Sequence, residues 1–222
     1  IDFGDASWSA LVVDTLFASQ WEREKEKSLT IPEKAKNVKL FTESCIDQAL
    51  KEGADILASQ GGYITPTHDP LPPSPFNQFS NAVDLFNTGT TKIPYWWYET
   101  ASGVQKTQIP TRETMANQLE TYVAGHLDGC LQGYSSFLRQ GYTITAGAWT
   151  PEVTIADDMI YATIRSPLYI AYEDFTFAID TFYGSTAHSL GRLHKQAISI
   201  MESENEEQFI ERYALDVMRI YD

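Results

Sequence analysis

The residues able to do chemistry in this chain are two cysteines, four histidines and three acid-bearing pairs. Cys45 and Cys130 lie in no C-x-x-C motif, and two thiols are too few for a metal centre. Each falls on the apolar stripe of a predicted helix. Three readings follow: a structural disulfide, two inert buried thiols, or a catalytic thiol helped by His126, four residues before Cys130. A Cys45–Cys130 bridge would close a loop of about 85 residues, worth roughly 4–5 kcal/mol by chain entropy. Such a bond belongs in an oxidising compartment.

The other candidates are weaker. His188 and His194 are six apart and do not share a helical face. His126 sits on an apolar stripe and reads as a core histidine. His68-Asp69 falls in a proline-rich loop, either as an exposed pair or as an acid–base or metal pair. Asp157-Asp158 reads as turn chemistry before calcium binding. Glu173-Asp174 would need a second acid across a cleft to work as a glycosidase. No G-x-S-x-G, H-E-x-x-H, P-loop, G-x-G-x-x-G or EF-hand loop occurs. The sequence therefore assigns no catalytic residue, no metal site and no cofactor.

The run Tyr95-Trp96-Trp97-Tyr98 is a different kind of signal. As a strand it sends Tyr95 and Trp97 to one face and Trp96 and Tyr98 to the other. Both faces are then greasy, which suits core packing under the proline loop, a protein contact or a sugar-stacking platform. Near the start, Trp8, Leu11, Val12, Val13, Leu16, Phe17 and Trp21 form a second apolar cluster. It reads as a helix on its own domain, as an arm docking on a neighbouring subunit, or as a stub below an anchor. Trp8, Phe17 and the four aromatics of 95–98 are the candidate interaction residues.

These side chains need elements to hold them. Thr30, Pro32 and Glu33 read as N-cap, first helical residue and capping-box partner of a helix closed by Gly61-Gly62. Val38, Phe41, Cys45, Ala49, Ile56 and Leu57 form its apolar face. Five of the ten prolines crowd residues 66–75, so that stretch is loop. A second helix follows Thr111 as N-cap and carries Met115, Leu119, Tyr122, Val123, His126, Leu127 and Cys130 as its apolar stripe. Residues 153–165 read as a hairpin about Asp157-Asp158, with Ser166-Pro167 as punctuation and strands over 168–172 and 175–182. Gly184-Ser185 would open a third helix with Leu190, Leu193, Ala197, Ile200 and Met201 inward. Asn205 would cap a fourth with Phe209, Tyr213, Val217 and Ile220 inward. The expected fold is α+β: four main helices packed on a small antiparallel sheet, with a proline- and aromatic-rich insertion between the first two. Residues 1–29 form an N-terminal arm. Residues 30–222 form one domain with a helical half, 30–148, and a sheet-plus-helices half, 149–222.

With 222 residues, 43% of them hydrophobic, the chain can bury a full core. Its net charge of −14 argues against nucleic acid. No run reaches the ~18 apolar residues of a membrane span. Because the sequence begins at Ile1, a mature form or a fragment is expected, and membrane attachment would need an anchor upstream.

Three segments carry a resemblance. The spacing ESC-x-x-x-A-x-x-x-G-x-x-x-L-x-x-QGGYI over 43–64, IPYWWYE over 93–99 and HLDGCL over 126–131 resemble predicted secreted or N-terminally anchored proteins of small-genome (DPANN-type) archaea. In those proteins a cysteine follows Glu-Ser on the first helix, QGGY-like residues end it, and an IPYWY-like strand follows. A second cysteine closes the next helix. PEVTIADDMIYATIRSPL over 151–168 is similar to that group's hairpin. The resemblance implies a location and a layout, not an activity. The expected function is a non-enzymatic extracellular structural or interaction module of a cell-surface layer, filament or attachment assembly. Its partners would be copies of itself, other surface proteins or glycans. The alternatives are a secreted hydrolase of glycans, with acids from Asp69, Asp157, Asp158, Glu173 or Asp174, and a carbohydrate-binding module using Trp96 and Trp97.

Overall fold

In the computed structural model, the backbone is described for residues 5–65, 71, 79–85 and 92–221, and side chains from Thr15 onward through those ranges to Ile220. The class is α+β, but the expected count and packing are corrected. Among the described residues there are five long helices: α1 (Asp5–Ser28), α2 (Glu33–Ser59), α3 (Arg112–Leu131), α5 (Leu190–Glu207) and α6 (Phe209–Tyr221). A single turn, α4 (Ser135–Leu138), follows α3. Two small hairpins pair β1 (Ala82–Asp84) with β2 (Lys92–Pro94), and β3 (Trp97–Glu99) with β4 (Gln105–Thr107). The main sheet has four strands, β5 (Tyr142–Ala146), β6 (Thr150–Ile155), β7 (Met159–Tyr172) and β8 (Phe175–Ala187).

That sheet is larger than expected because β7 does not stop at Ser166-Pro167. It runs through them with a bulge between Arg165 and Leu168 and pairs with β8 along its whole length. On its other side β7 pairs with β6 first and β5 second, end to end. Pro167 fits because the bulge releases it from the ladder.

The helices divide between the two faces. Ile160, Ala162, Ile164, Leu168 and Ile170 of β7 point to one face, with Phe182 of β8. There they meet Val38, Ile46, Ala49, Leu50 and Leu57 of α2 and Met115, Leu119, Val123 and Leu127 of α3. Tyr161 and Tyr183 point to the opposite face and hold Trp21 of α1, with ring centroids 5.0 and 5.7 Å away. Gly184 belongs to β8, not to a helix start. A Cβ there would lie 2.3 Å from Ile46 Cγ2, so the glycine is where α2 crosses the strand.

Two helix ends differ from their expected caps. α2 starts behind Pro32, and no side chain caps it, so Thr30 is not the N-cap. Its C-terminus does turn through left-handed Gly61 and Gly62. α3 is capped as expected, Thr111 Oγ1 accepting from the Thr114 N–H. α5 runs past Asn205 and breaks at Gln208, whose φ is 51°. Leu193 and Ile200 are more than half exposed, as are Ile210, Tyr213 and Ile220 beyond that break. The stripe read as inward on α5 is covered at its start, where Leu190 joins the core, and opens to solvent further on, as does most of the α6 stripe, because the two helices project past the sheet beyond the first turn of α5.

Candidate functional site

The two cysteines meet. Cys45, mid-α2, and Cys130, in the last turn of α3, form a disulfide with Cα atoms 5.8 Å apart. Neither is a free thiol, which removes the catalytic-thiol reading. His126 is not a core residue. It lies on the exposed face of α3 and stacks on Tyr122, centroids 3.8 Å apart. His68 and Asp69 lie outside the described residues.

The acids are dispersed. Asp157 pairs with Arg112 and Asp158 with Arg192 at the β6–β7 turn. Glu173 pairs with Lys34 at the β7–β8 turn. The whole of β7 separates the two turns, roughly 40 Å at ~3.3 Å per residue. A glycosidase pair needs carboxyls within about 10 Å, so these two couplets do not form one.

The aromatic run is split between two hairpins, not held in one strand. Its alternation survives: Tyr95 and Trp97 are over a third exposed, while Trp96 and Tyr98 are half-buried. Trp96 is the anchor. Its indole N–H donates to the Gly61 carbonyl at 2.8 Å, and its ring meets His194 of α5 edge-on at 5.5 Å. Gln108 ties the hairpins together, donating to the carbonyls of Asn81 and Tyr95. Tyr63 donates to the Gln108 carbonyl at 2.6 Å. Trp96 is thus structural, and Tyr95 and Trp97 are the outward pair.

His194 is the buried histidine that the sequence reading passed over. Its Nε2 lies 2.7 Å from the Pro110 carbonyl. Burial, and secondarily the Arg112 charge, hold its pKa below the usual value, against the Pro110 bond, which raises it. The neutral form is favoured in the folded state, so this contribution to stability is full above pH ~6.5. It is lost as pH falls through the lowered folded value. We expect the thermal midpoint to fall on mild acidification, and His194→Gln, which keeps a donor for Pro110, to remove that component. An unchanged acid dependence in the variant would contradict this.

Three surface features complete the site. Phe17 is over a third exposed and packs its edge on Tyr161 in cis; the side chain of Trp8 lies outside the described ones. A polar cleft of about 170 Å³ runs beside it, between α1 and the sheet, lined by Glu24, Glu152, Arg165 and Tyr161. A shallow hollow of about 670 Å³ on α3 is lined by Ile64, Gln118, Tyr122 and His126. The third feature is the α5–α6 arm, which the sequence could have revealed. Ile210, Tyr213, Val217 and Ile220 have the spacing of a packed stripe, but nothing in the sequence says whether the partner is in the same chain.

No protein-family model, curated protein or solved structure matches this chain. No helix among the described residues is long and apolar enough to cross a membrane. The disulfide fits a secreted or extracellular setting.

Proposed function

We propose that this chain is a non-enzymatic extracellular module of a cell-surface layer, filament or attachment assembly, laid out like the secreted or anchored proteins of small-genome archaea that it resembles. The carrying observation is the α5–α6 arm. Six large apolar side chains on α6 are 40–76% exposed in a chain whose core is otherwise closed. Four of them, Phe209, Ile210, Tyr213 and Ile220, share one face of the helix, and an exposed apolar face of this kind marks a contact surface. The disulfide suits a module that must persist outside the cell, and the charge of −14 keeps such a surface soluble.

A second reading has its own observation. Tyr95 and Trp97 stand outward on a rigid hairpin seat, which suits stacking against a sugar ring. Labelling of intact cells with a membrane-impermeant amine reagent tests the first reading. Labelled chain recovered in material much larger than a monomer is the expected result. Unlabelled or wholly monomeric native chain would overturn it. Glycan binding lost in Trp97→Ala would favour the second.

A further inference from the structure

Between α1 and the sheet, two faces that lie against each other do not close. Alternation along β6 and β7 buries Val153, Ile155, Ala162 and Ile164 and turns Glu152, Thr154, Thr163 and Arg165 to the outer face. On α1, Phe17, Gln20, Trp21 and Glu24 share one helical stripe, and that stripe is turned to the same face. Apolar residues on both sides would have sealed the joint. Here Phe17 packs on Tyr161 and Trp21 on Tyr161 and Tyr183, and a polar hollow of about 170 Å³ stays open beside them. We propose that this hollow binds one neutral sugar ring, free or at the end of a glycan. The proposal does not use the α5–α6 arm that carries the assembly reading, nor the hairpin of Trp97.

The lining selects that class. At ~30 Å³ per water the hollow holds roughly six waters, close to the size of one six-membered ring with its hydroxyls. Glu24 and Glu152 face it against Arg165 alone, and the whole chain carries −14, so an anion is repelled. A small cation meets Arg165 in the same lining and gives the threonines nothing to bond. An apolar ligand strips all these groups of water without pairing them. A polyol suits them. The carboxylates accept from its hydroxyls, Arg165 and Gln20 donate to them, and Thr154 and Thr163, whose hydroxyls have no partner among the described residues, do either. Arg165 holds Glu152 at 3.2 Å, which sets a donor and an acceptor side by side for neighbouring hydroxyls of a ring. Phe17, over a third exposed, offers an apolar edge to the C–H side of the ring. Trp21 adds an independent sign. It is 5% exposed in the wall of the hollow, and its indole N–H has no partner among the described residues. Buried donors are seldom left so; a small tilt of α1 lets a ligand oxygen accept from it.

Titration of the isotope-labelled full chain with the methyl glycosides of glucose, galactose, mannose and N-acetylglucosamine tests the site. The reporter is the Trp21 indole N–H resonance, which Trp21→Phe identifies. At least one sugar should shift it with about millimolar affinity, as suits so small a ligand. Glucuronate should bind about tenfold more weakly or worse, and choline should leave the resonance in place. Arg165→Gln should weaken the neutral sugar about tenfold, and Glu24→Gln/Glu152→Gln, which leaves Arg165 unopposed, should reverse the order in favour of glucuronate. Loss of the Glu152–Arg165 pair should not move the thermal midpoint, since both side chains are about two-thirds exposed. The matching disaccharide should bind within about twofold of the single ring; a gain above tenfold would refute the one-ring size. No shift with any of the four sugars, glucuronate or choline bound as tightly as they are, or an order unmoved by these variants would each overturn the site. So would sugar binding that Trp97→Ala abolishes, which belongs to the hairpin. A native chain that binds sugar here but is monomeric or unlabelled on cells would keep the site and lose the assembly reading. Labelled chain in large surface material with no sugar bound at Trp21 would do the reverse.

Discussion

Serine at both Cys45 and Cys130 should lower stability by about 4–5 kcal/mol and the thermal midpoint by roughly 10–15 °C. The bond closes a loop of 85 residues, and most of its effect lies in the unfolded chain. That loop contains both small hairpins, whose described residues contribute few buried side chains to the main core. Without the bond, α2 and α3 still share Ala49, Leu57, Leu119 and Val123, but the span between them regains its freedom. Denaturant unfolding of oxidised, reduced and double-serine protein checks this. Equal midpoints for all three would refute it. Alkylation of freshly purified native protein is the companion measurement: no thiol should react until the chain is reduced.

The disulfide shows what kind of structure is legible in one sequence. Cys45 and Cys130 sit on helices with clear apolar stripes, which makes a disulfide one of three readings; the sequence alone does not bring the two thiols together. The β6–β7 hairpin was legible, since alternation and a turn are local. What failed was information held in other segments. Gly184 looks like a helix start until Ile46 is seen against it. Ser166-Pro167 looks like a strand end until β7 is found bulging through it. Lys39 and Glu43 are charged and fall off the Val38–Phe41–Cys45 stripe, yet both are at least 96% buried. The stripe on α6 is as regular as that on α2. Only the fold shows that one is covered and the other is not.

The second large effect lies where α2 meets β8, at that buried pair. Lys39 Nζ lies 2.9 Å from Glu43 Oε1 and donates to the Thr181 carbonyl at 2.8 Å. Glu43 accepts the Tyr183 N–H at 2.9 Å, and Asp47 accepts the Ser185 N–H at 2.7 Å. The register has a simple cause. Four helical residues rise about 6 Å and two strand residues about 6.6 Å, so positions 39, 43 and 47 fall level with 181, 183 and 185. The side chains of α2 thereby occupy the outer edge of β8, which would otherwise offer free N–H and C=O groups to another strand. Glu43→Leu should cost about 3–5 kcal/mol, because it strands the Lys39 charge and the Tyr183 N–H in the core. Lys39→Met should cost a similar amount by leaving the carboxylate unpaired. The double variant Lys39→Met/Glu43→Gln is neutral at both positions and keeps an acceptor for Tyr183. It should be more stable than Glu43→Leu or Lys39→Met, and the double-mutant cycle closed with the Glu43→Gln single variant should give a coupling of about 2–3 kcal/mol. Additive losses would mean that the pair does not act as a unit. Glu43→Leu should also aggregate through the uncovered β8 edge, and that aggregation should persist when Val217→Glu is added, since it uses a different surface from α6.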